Sequence, residues 1–177
     1  VTYELCDNGY NVSVLDNLST GFLENVDHRA IFFKHSFSNK NVLNKILKNI
    51  DCVIHLAALK AAGESMDNPI KYSKHNILNS ISLINSCIDN NVKKFIFSSS
   101  AAVYGIPKYL PLDESHQLKP VNYYGYTKMM IEQQLSWYSK LKGINVAFLR
   151  YFNAAGYDIK GRVKVKEKNP QNLIPIV

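Results

Sequence analysis

The amino-acid sequence predicts an α/β fold built on a doubly wound parallel sheet. Short apolar runs alternate with longer segments that carry apolar residues at helical spacing. The short runs are continuously apolar, as in strands covered by helices on both faces. Polar side chains follow several of these runs, where a parallel sheet binds its ligands. The expected strands are 12–15, 31–33, 52–56, 95–97 and 146–149.

Each predicted helix has a pattern of its own. Residues 1–8 are expected to form the last turns of a helix that Gly9 stops. In residues 38–49, the apolar positions Val42, Leu43, Ile46 and Leu47 recur at helical spacing. The remaining helices are expected at about 69–90 and 123–142.

Length and composition limit the class of protein. A chain of 177 residues that is 46% apolar can bury one sizeable core. No apolar run approaches the length of a membrane span, and no signal-peptide pattern opens the chain, so the expected location is cytoplasmic. The three cysteines are isolated, which disfavours disulfides and a zinc site and predicts structural thiols.

The net charge of +7 is compatible with nucleic acid or with a small anionic substrate as partner. Only three of the basic residues are arginines, whereas phosphate and base recognition favours the arginine fork. The densest basic stretch, 160–168, alternates lysines with Gly, Val and Glu, as in a solvated loop or strand face. We therefore expect no nucleic-acid partner.

Two spaced motifs carry the chemistry. Ser98, Ser99 and Ser100 close the apolar run 95–97. Tyr124 follows 24 residues after Ser100, and Lys128 four residues after Tyr124. On a helix, a four-residue step places the phenol and the ammonium on one face. A neighbouring positive charge favours the ionised phenol, which predicts Tyr124 as a general base.

The Tyr-x-x-x-Lys pair is a weak signal by itself, since chance gives about one in such a chain. There are three here. The pair at 104 and 108 encloses Gly and Pro, and the pair at 138 and 142 directly precedes Gly143, where a helix would end. Only Tyr124 and Lys128 follow a strand tipped with serines.

A dinucleotide-binding domain usually opens with a strand and a glycine-rich turn. None of the eight glycines falls into that pattern, and the first residues are predicted to be helical. We therefore expect the first strand and its glycine turn to lie upstream of residue 1, which makes the predicted fold Rossmann-like but incomplete.

Six segments carry a resemblance to a known family. They are 14–18 (VLDNL), 53–65 (VIHLAALKAAGES), 97–105 (FSSSAAVYG), 124–128 (YGYTK), 149–156 (LRYFNAAG) and 172–175 (NLIP). With these segments in this order, the chain resembles the extended short-chain dehydrogenase/reductases, and within them the UDP-glucose 4-epimerase family. A full-length member would be about twice as long. The resemblance implies a partial dinucleotide-binding domain at 1–153 and the start of a sugar-nucleotide region at 154–177.

The resemblance implies site residues and a cofactor, NAD. Asp16 matches the acid that binds the adenosine ribose and would repel the extra phosphate of NADP. Ser100, Tyr124 and Lys128 match the catalytic residues. The implied cofactor-binding residues are Asp16, Asn17, Ser36, Ala57, Lys60, Asn76, Ser98, Tyr124, Lys128 and Phe152, and the implied substrate-binding residues are Ser100, Tyr124, Asn153 and Asn172.

The implied reaction is the NAD-dependent interconversion of UDP-glucose and UDP-galactose through a 4-keto sugar, in a protein that is a homodimer when full length. Residues 1–177 alone are expected to be inactive. A dehydratase of the superfamily would carry an acid and a base directly after the catalytic serine, where this chain has Ala101 and Ala102. Another nucleotide-sugar epimerase, a dehydratase or a reductase of the superfamily, an inactive remnant and a regulatory binding module remain alternatives. Ser36 and His75 depart from the family pattern.

Overall fold

The structure, a computed structural model, describes residues 1–154 and 158–163. Its strands are β1 (Ser13–Asp16), β2 (Ile31–Lys34), β3 (Cys52–His55), β4 (Lys94–Ser100) and β5 (Asn145–Tyr151). Its helices are α1 (Thr2–Asp7), α2 (Lys40–Ile46), α3 (Ala62–Asp67), α4 (Pro69–Tyr72), a π-helical segment (Ser73–Leu78), α5 (Asn79–Asp89) and α6 (Tyr123–Lys142). Short 3₁₀ turns cover Leu23–Asn25 and Ala101–Val103.

All strand pairs are parallel, which confirms the predicted fold class. β1 pairs with β2, and β3, β4 and β5 form a second sheet in that order. In the described part of the chain, no strand hydrogen-bonds to both β1 and β3. Leu15 of β1 and Phe37 after β2 nevertheless pack on the same hydrophobic core as the three-stranded sheet.

The core lies between the three-stranded sheet and the helices α2, α5 and α6. Phe95 and Phe97 of β4 are fully buried, and they face Ile131 and Leu135 of α6 and Ile84 of α5. Burying one such side chain stabilises the fold by roughly 1.5–3 kcal/mol relative to leaving it exposed. This packing holds α6 against β4, and therefore fixes the elements that carry the candidate site.

Three features differ from the sequence prediction. The single helix expected at 69–90 consists of α4, the π-helical segment and α5, and α3 was not predicted. The wider π turns bring Asn76 inward, where its side chain pairs with the backbone of Leu59. β4 runs on through the three serines, because its ladder with β5 continues to the pair of Ser100 and Tyr151.

Helix α6 has the predicted bounds. The side chain of Asn122 accepts a hydrogen bond from the amide of Gly125 at 2.8 Å, and Gly143 ends the helix at φ 71°. Gly125 lies against the turn after β4, since a Cβ there would be 2.6 Å from the carbonyl oxygen of Ala102. A second close approach joins Gly105, at φ +69°, to Lys119, whose carbonyl oxygen would be 1.9 Å from a Cβ.

Candidate active site

The carboxyl end of β4 and the first two turns of α6 bring Ser100, Tyr124 and Lys128 together. Ser100 is the last residue of β4, and its hydroxyl accepts a hydrogen bond from the amide of Ala102 at 3.2 Å. That contact caps the 3₁₀ turn that follows the strand. The hydroxyl of Ser100 also lies close enough to the phenol of Tyr124 to act on it, and this interaction lowers the pKa of the phenol. The strand and the helix therefore meet at these two side chains.

Burial acts on Tyr124 in the opposite direction. Desolvation raises the pKa of the phenol, and it outweighs the lowering by Ser100. The sequence had predicted a lowered pKa from the neighbouring ammonium, so that direction was wrong. The ammonium of Lys128 lies 5.8 Å from the centroid of the Tyr124 ring. At that separation, the charge does not offset the loss of water around the phenol.

Lys128 is a buried cation, with 4% of its surface exposed. Its ammonium donates a hydrogen bond to the carbonyl oxygen of Ser98 at 2.8 Å and lies 4.9 Å from the centroid of the Phe97 ring. Burial lowers the pKa of Lys128 to about 8. Within residues 1–154 and 158–163, Ser98 supplies its one hydrogen-bond acceptor, so two of its N–H bonds can serve a ligand.

Three polar contacts fix the start of α6. The hydroxyl of Ser65 in α3 accepts a hydrogen bond from the amide of Tyr124 at 2.9 Å. The hydroxyl of Thr127 donates to the carbonyl oxygen of Tyr124 at 2.7 Å and accepts from the side-chain amide of Asn76 at 3.2 Å. The side chain of Asn76 also accepts from the amide of Leu59 and donates to its carbonyl oxygen, both at 2.9 Å. Asn76 thus ties the loop after β3 to α6.

Asp16 and Asn17 end β1 in a tight turn. One carboxylate oxygen of Asp16 accepts from the amide of Leu18 at 2.6 Å, and the side chain of Asn17 accepts from the amide of Ser19 at 3.0 Å. The other carboxylate oxygen lies beside Gly21, where a Cβ would come within 3.3 Å of it. The missing side chain leaves room next to the carboxylate.

The other predicted residues lie in loops. Ser36 follows β2, and its hydroxyl is 2.8 Å from that of Ser38. Ala57 and Lys60 are exposed after β3, and Phe152 and Asn153 are exposed after β5. The roles predicted for these residues stay predictions. Asn172 lies outside the described residues.

Several residues that support the cluster were not predicted from sequence. Ser65 belongs to the segment that resembled the family, but α3 itself was missed, so its contact with Tyr124 could not be foreseen. Glu132 lies four residues after Lys128 on α6, and Arg150 lies on β5. One pattern in the sequence could have indicated Glu132: polar residues recur at 124, 128 and 132 on an otherwise apolar face of the helix.

Two further features concern the kind of site. In the described part of the chain, no cluster of three or more His, Cys, Asp or Glu side chains could hold a metal ion. None of the helices described is both long and apolar enough to cross a membrane.

Comparison with known proteins identifies the family. The sequence model of the NAD dependent epimerase/dehydratase family matches residues 1–177. The chain belongs to this family. Its similarity to a UDP-glucose 4-epimerase of Lactobacillus helveticus is 43% identity over 97% of the chain and 53% of that protein. The chain thus spans about half the length of the curated relatives it matches.

Solved structures of epimerases share the fold. The UDP-glucose 4-epimerase of Brucella ovis in complex with NAD matches 99% of this chain with a TM-score of 0.94 and 36% identity, and 54% of its own chain is covered. A UDP-N-acetylglucosamine 4-epimerase of Methanobrevibacter ruminantium, in complex with UDP-N-acetylmuramic acid, matches 82% of this chain and 48% of its own, with a TM-score of 0.78 and 39% identity. The described residues therefore share the Rossmann-like fold of about half of each of these two epimerase chains.

Proposed function

We propose that the complete protein is an NAD-dependent UDP-glucose 4-epimerase, which interconverts UDP-glucose and UDP-galactose through a 4-keto sugar. The observation that carries this proposal is the meeting of Ser100, Tyr124 and Lys128 at the carboxyl end of β4, in a chain that belongs to the epimerase family. The names of the relatives support the substrate, and the Brucella ovis structure with NAD supports the cofactor.

The described residues fit NAD at two points. The carboxylate of Asp16 faces the space beside Gly21, and it can accept two hydrogen bonds from the hydroxyls of a ribose. The ammonium of Lys128 has N–H bonds to spare, and it suits the hydroxyls of the second ribose. Asp16 and Lys128 would thus hold the two ends of the dinucleotide.

When bound, NAD supplies the hydride chemistry at the sugar carbon, and the residues of the chain handle the proton. Tyr124 takes the proton from the O4 hydroxyl of the hexose and later returns it to the keto oxygen. Because burial raises the pKa of Tyr124, its protonated form dominates at neutral pH and is ready for the return step. Ser100 favours the phenolate needed for the first step, since its interaction with the phenol lowers that pKa.

Positioning is the second contribution of the chain. The backbone contact between Lys128 and Ser98 and the capped turn after Ser100 leave the three side chains little freedom relative to one another. Fixed placement lowers the activation barrier substantially, because the reacting groups do not have to be ordered during the reaction. The 4-keto sugar must rotate before it accepts the hydride on its other face, so the site has to hold the uridine diphosphate more tightly than the hexose.

Dehydration is disfavoured by the two residues after Ser100. Ala101 and Ala102 form the 3₁₀ turn, and neither side chain can move a proton. Expelling water from the sugar needs an additional acid and base. An epimerase of N-acetylated UDP-sugars is the second candidate, because the Methanobrevibacter ruminantium enzyme resembles this chain at 39% identity.

The test is to incubate the complete protein, supplied with NAD, with UDP-galactose and separately with UDP-N-acetylgalactosamine, and to separate the products. We expect UDP-glucose from the first substrate. Turnover of the N-acetylated sugar alone would favour the second candidate. If neither sugar reacts, although NAD remains bound, the proposed activity is wrong.

A further inference from the structure

Next to the candidate active site lies a buried ion pair that the proposed reaction does not use. The carboxylate of Glu132 in α6 accepts hydrogen bonds from the guanidinium of Arg150 in β5 at 2.7, 3.1 and 3.3 Å. The side chain of Glu132 is 3% exposed and that of Arg150 is 16% exposed. Burying two charges is costly unless their hydrogen bonds are well satisfied. This pair is therefore held in one geometry.

Ser99 is the third member of the cluster. Its hydroxyl donates to the carboxylate of Glu132 at 2.5 Å. Ser99 and Arg150 are register partners in the parallel ladder of β4 and β5. Glu132 accepts from both, so one carboxylate of α6 bridges two adjacent strands. This arrangement fixes α6 relative to the carboxyl end of β4.

Arg150 extends the cluster to the turn after β4. Its guanidinium donates to the hydroxyl of Tyr104 at 3.1 Å and lies 5.0 Å from the centroid of that ring. Tyr104 follows the 3₁₀ turn that begins after Ser100. The same cluster therefore holds the residues on both sides of Ser100: Ser99 before it, and Tyr104 beyond the turn.

The spacing on α6 connects this cluster to the candidate catalytic residues. Tyr124, Lys128 and Glu132 follow one another at four-residue steps, so they share one face of the helix. They meet three consecutive residues of β4. Lys128 and Glu132 form hydrogen bonds with Ser98 and Ser99, and Tyr124 lies near Ser100. Movement of α6 at Glu132 would be transmitted to Lys128 and Tyr124, which are one and two turns away.

We propose that Glu132 and Arg150, together with Ser99, are positioning residues that set the distance between the phenol of Tyr124 and the hydroxyl of Ser100. None of the three needs to touch substrate or cofactor. A loss of the carboxylate charge would leave Arg150 buried without its partner, so α6 and β4 would shift to hydrate it. Small displacements of reacting groups cost up to about 100-fold in rate, so such a shift affects turnover more than binding.

The test compares Glu132→Gln with a matched control in the complete protein. Asp27 is also a buried carboxylate paired with an arginine, Arg29, at 2.6 Å, but the pair links the loop before β2 to α1. Asp27→Asn therefore removes a buried carboxylate from an ion pair that contacts neither β4 nor α6 in the described contacts. Ser99→Ala is the milder second variant, since it removes one hydrogen bond and leaves the ion pair intact.

This inference rests on the proposed function, so wild-type turnover of UDP-galactose is measured first. We expect Glu132→Gln to lower kcat by about 10- to 100-fold, with the KM for UDP-galactose and the amount of bound NAD within about twofold of wild type. Ser99→Ala should lower kcat by a smaller factor in the same way. Asp27→Asn should lose thermal stability but keep its kcat at a temperature well below unfolding.

A second measurement does not depend on activity. Amide hydrogen exchange, followed on peptides that cover 98–104 and 122–130, reports how firmly β4 and α6 are held. Glu132→Gln should accelerate exchange in both segments relative to wild type and to Asp27→Asn. If exchange there matches the control, the positioning role is wrong, whether or not the protein turns over UDP-galactose. An unchanged kcat in an active Glu132→Gln variant would also overturn it.

Discussion

The ammonium of Lys128 donates a hydrogen bond to the carbonyl oxygen of Ser98, 2.8 Å away, and so joins α6 to β4 two residues before Ser100. Lys128 therefore has a structural role at the end of β4 in addition to its positive charge. Its burial has a cost, because the charged form has lost most of its water. That cost can be measured.

The first prediction concerns the dependence of stability on pH. Burial lowers the pKa of Lys128 from 10.5 to about 8, so the native state releases its proton before the unfolded chain does. The cost of burial is complete below pH 8, and stability is regained as pH rises from about 8 to 10.5. Lys128→Met does not carry this cost. The difference in unfolding free energy, Lys128→Met minus wild type, should therefore fall by about 2 kcal/mol between pH 7 and pH 10.

Urea unfolding of the cofactor-free protein at several pH values measures this difference. Lys142→Met, at an exposed position of the same helix, is the matched control. A difference between Lys128→Met and wild type that does not change over this pH range would contradict the burial of a charged ammonium at this position.

The second prediction concerns the proton-transferring group. Tyr124→Phe should reduce turnover of UDP-galactose by about 100-fold or more, because the ring still fills its place but cannot exchange a proton. NAD should remain bound. Tyr126→Phe removes an exposed hydroxyl two residues further on and should retain near wild-type turnover. A Tyr124→Phe variant with more than about a tenth of the wild-type kcat would assign the proton to another group.

The third prediction concerns cofactor choice. The carboxylate of Asp16 is expected to bind ribose hydroxyls and to repel the phosphate of NADP, so the complete protein should prefer NAD by at least about tenfold in Kd. Asp16→Ala should remove most of that preference. Asp51→Asn, at the amino end of β3 and so at the opposite end of a strand, serves as control. Titration of the cofactor-free protein with NAD and with NADP measures the two Kd values. Equal values in wild type would show that Asp16 does not face the ribose.

The fourth prediction concerns the buried amide that ties the loop after β3 to α6. Asn76→Ala leaves the amide and carbonyl groups of Leu59 and the hydroxyl of Thr127 without the partner they have here. We expect a loss of about 2–3 kcal/mol in unfolding free energy. His75→Ala, at the exposed neighbouring position, should change it by less than about 0.5 kcal/mol.

The two variants are compared by their urea midpoints at constant slope. Equal midpoints for Asn76→Ala and His75→Ala would mean that water replaces the side chain of Asn76 without cost.

Local sequence patterns were sufficient for much of the fold. Gly143 marked the end of α6, and the serines after an apolar run predicted that Ser100 and Tyr124 would lie close together. The π-helical segment was not predictable in this way. Its wider turns are favoured by the contacts of Asn76 with Leu59, which join residues 17 positions apart.

The missed parts of the site share a physical cause. Glu132 and Arg150 are 18 positions apart in sequence, and a single sequence does not show which charges pair across a sheet and a helix. The direction of the pKa shift of Tyr124 also depends on how much water the folded chain removes, which spacing alone does not contain. The pKa of Tyr124 is raised because the phenol is buried, and the extent of burial depends on how the whole chain packs.

The close approaches at Gly105 and Gly125 have a consequence for how this protein tolerates change. The first pins the segment 106–118 at its base against Lys119, and the second sets α6 against Ala102. The distance between Ser100 and Tyr124 in space therefore does not depend on the number of residues that connect them. We therefore expect the fold to accept insertions or deletions at the exposed tip of this segment, but not a methyl group added at either glycine.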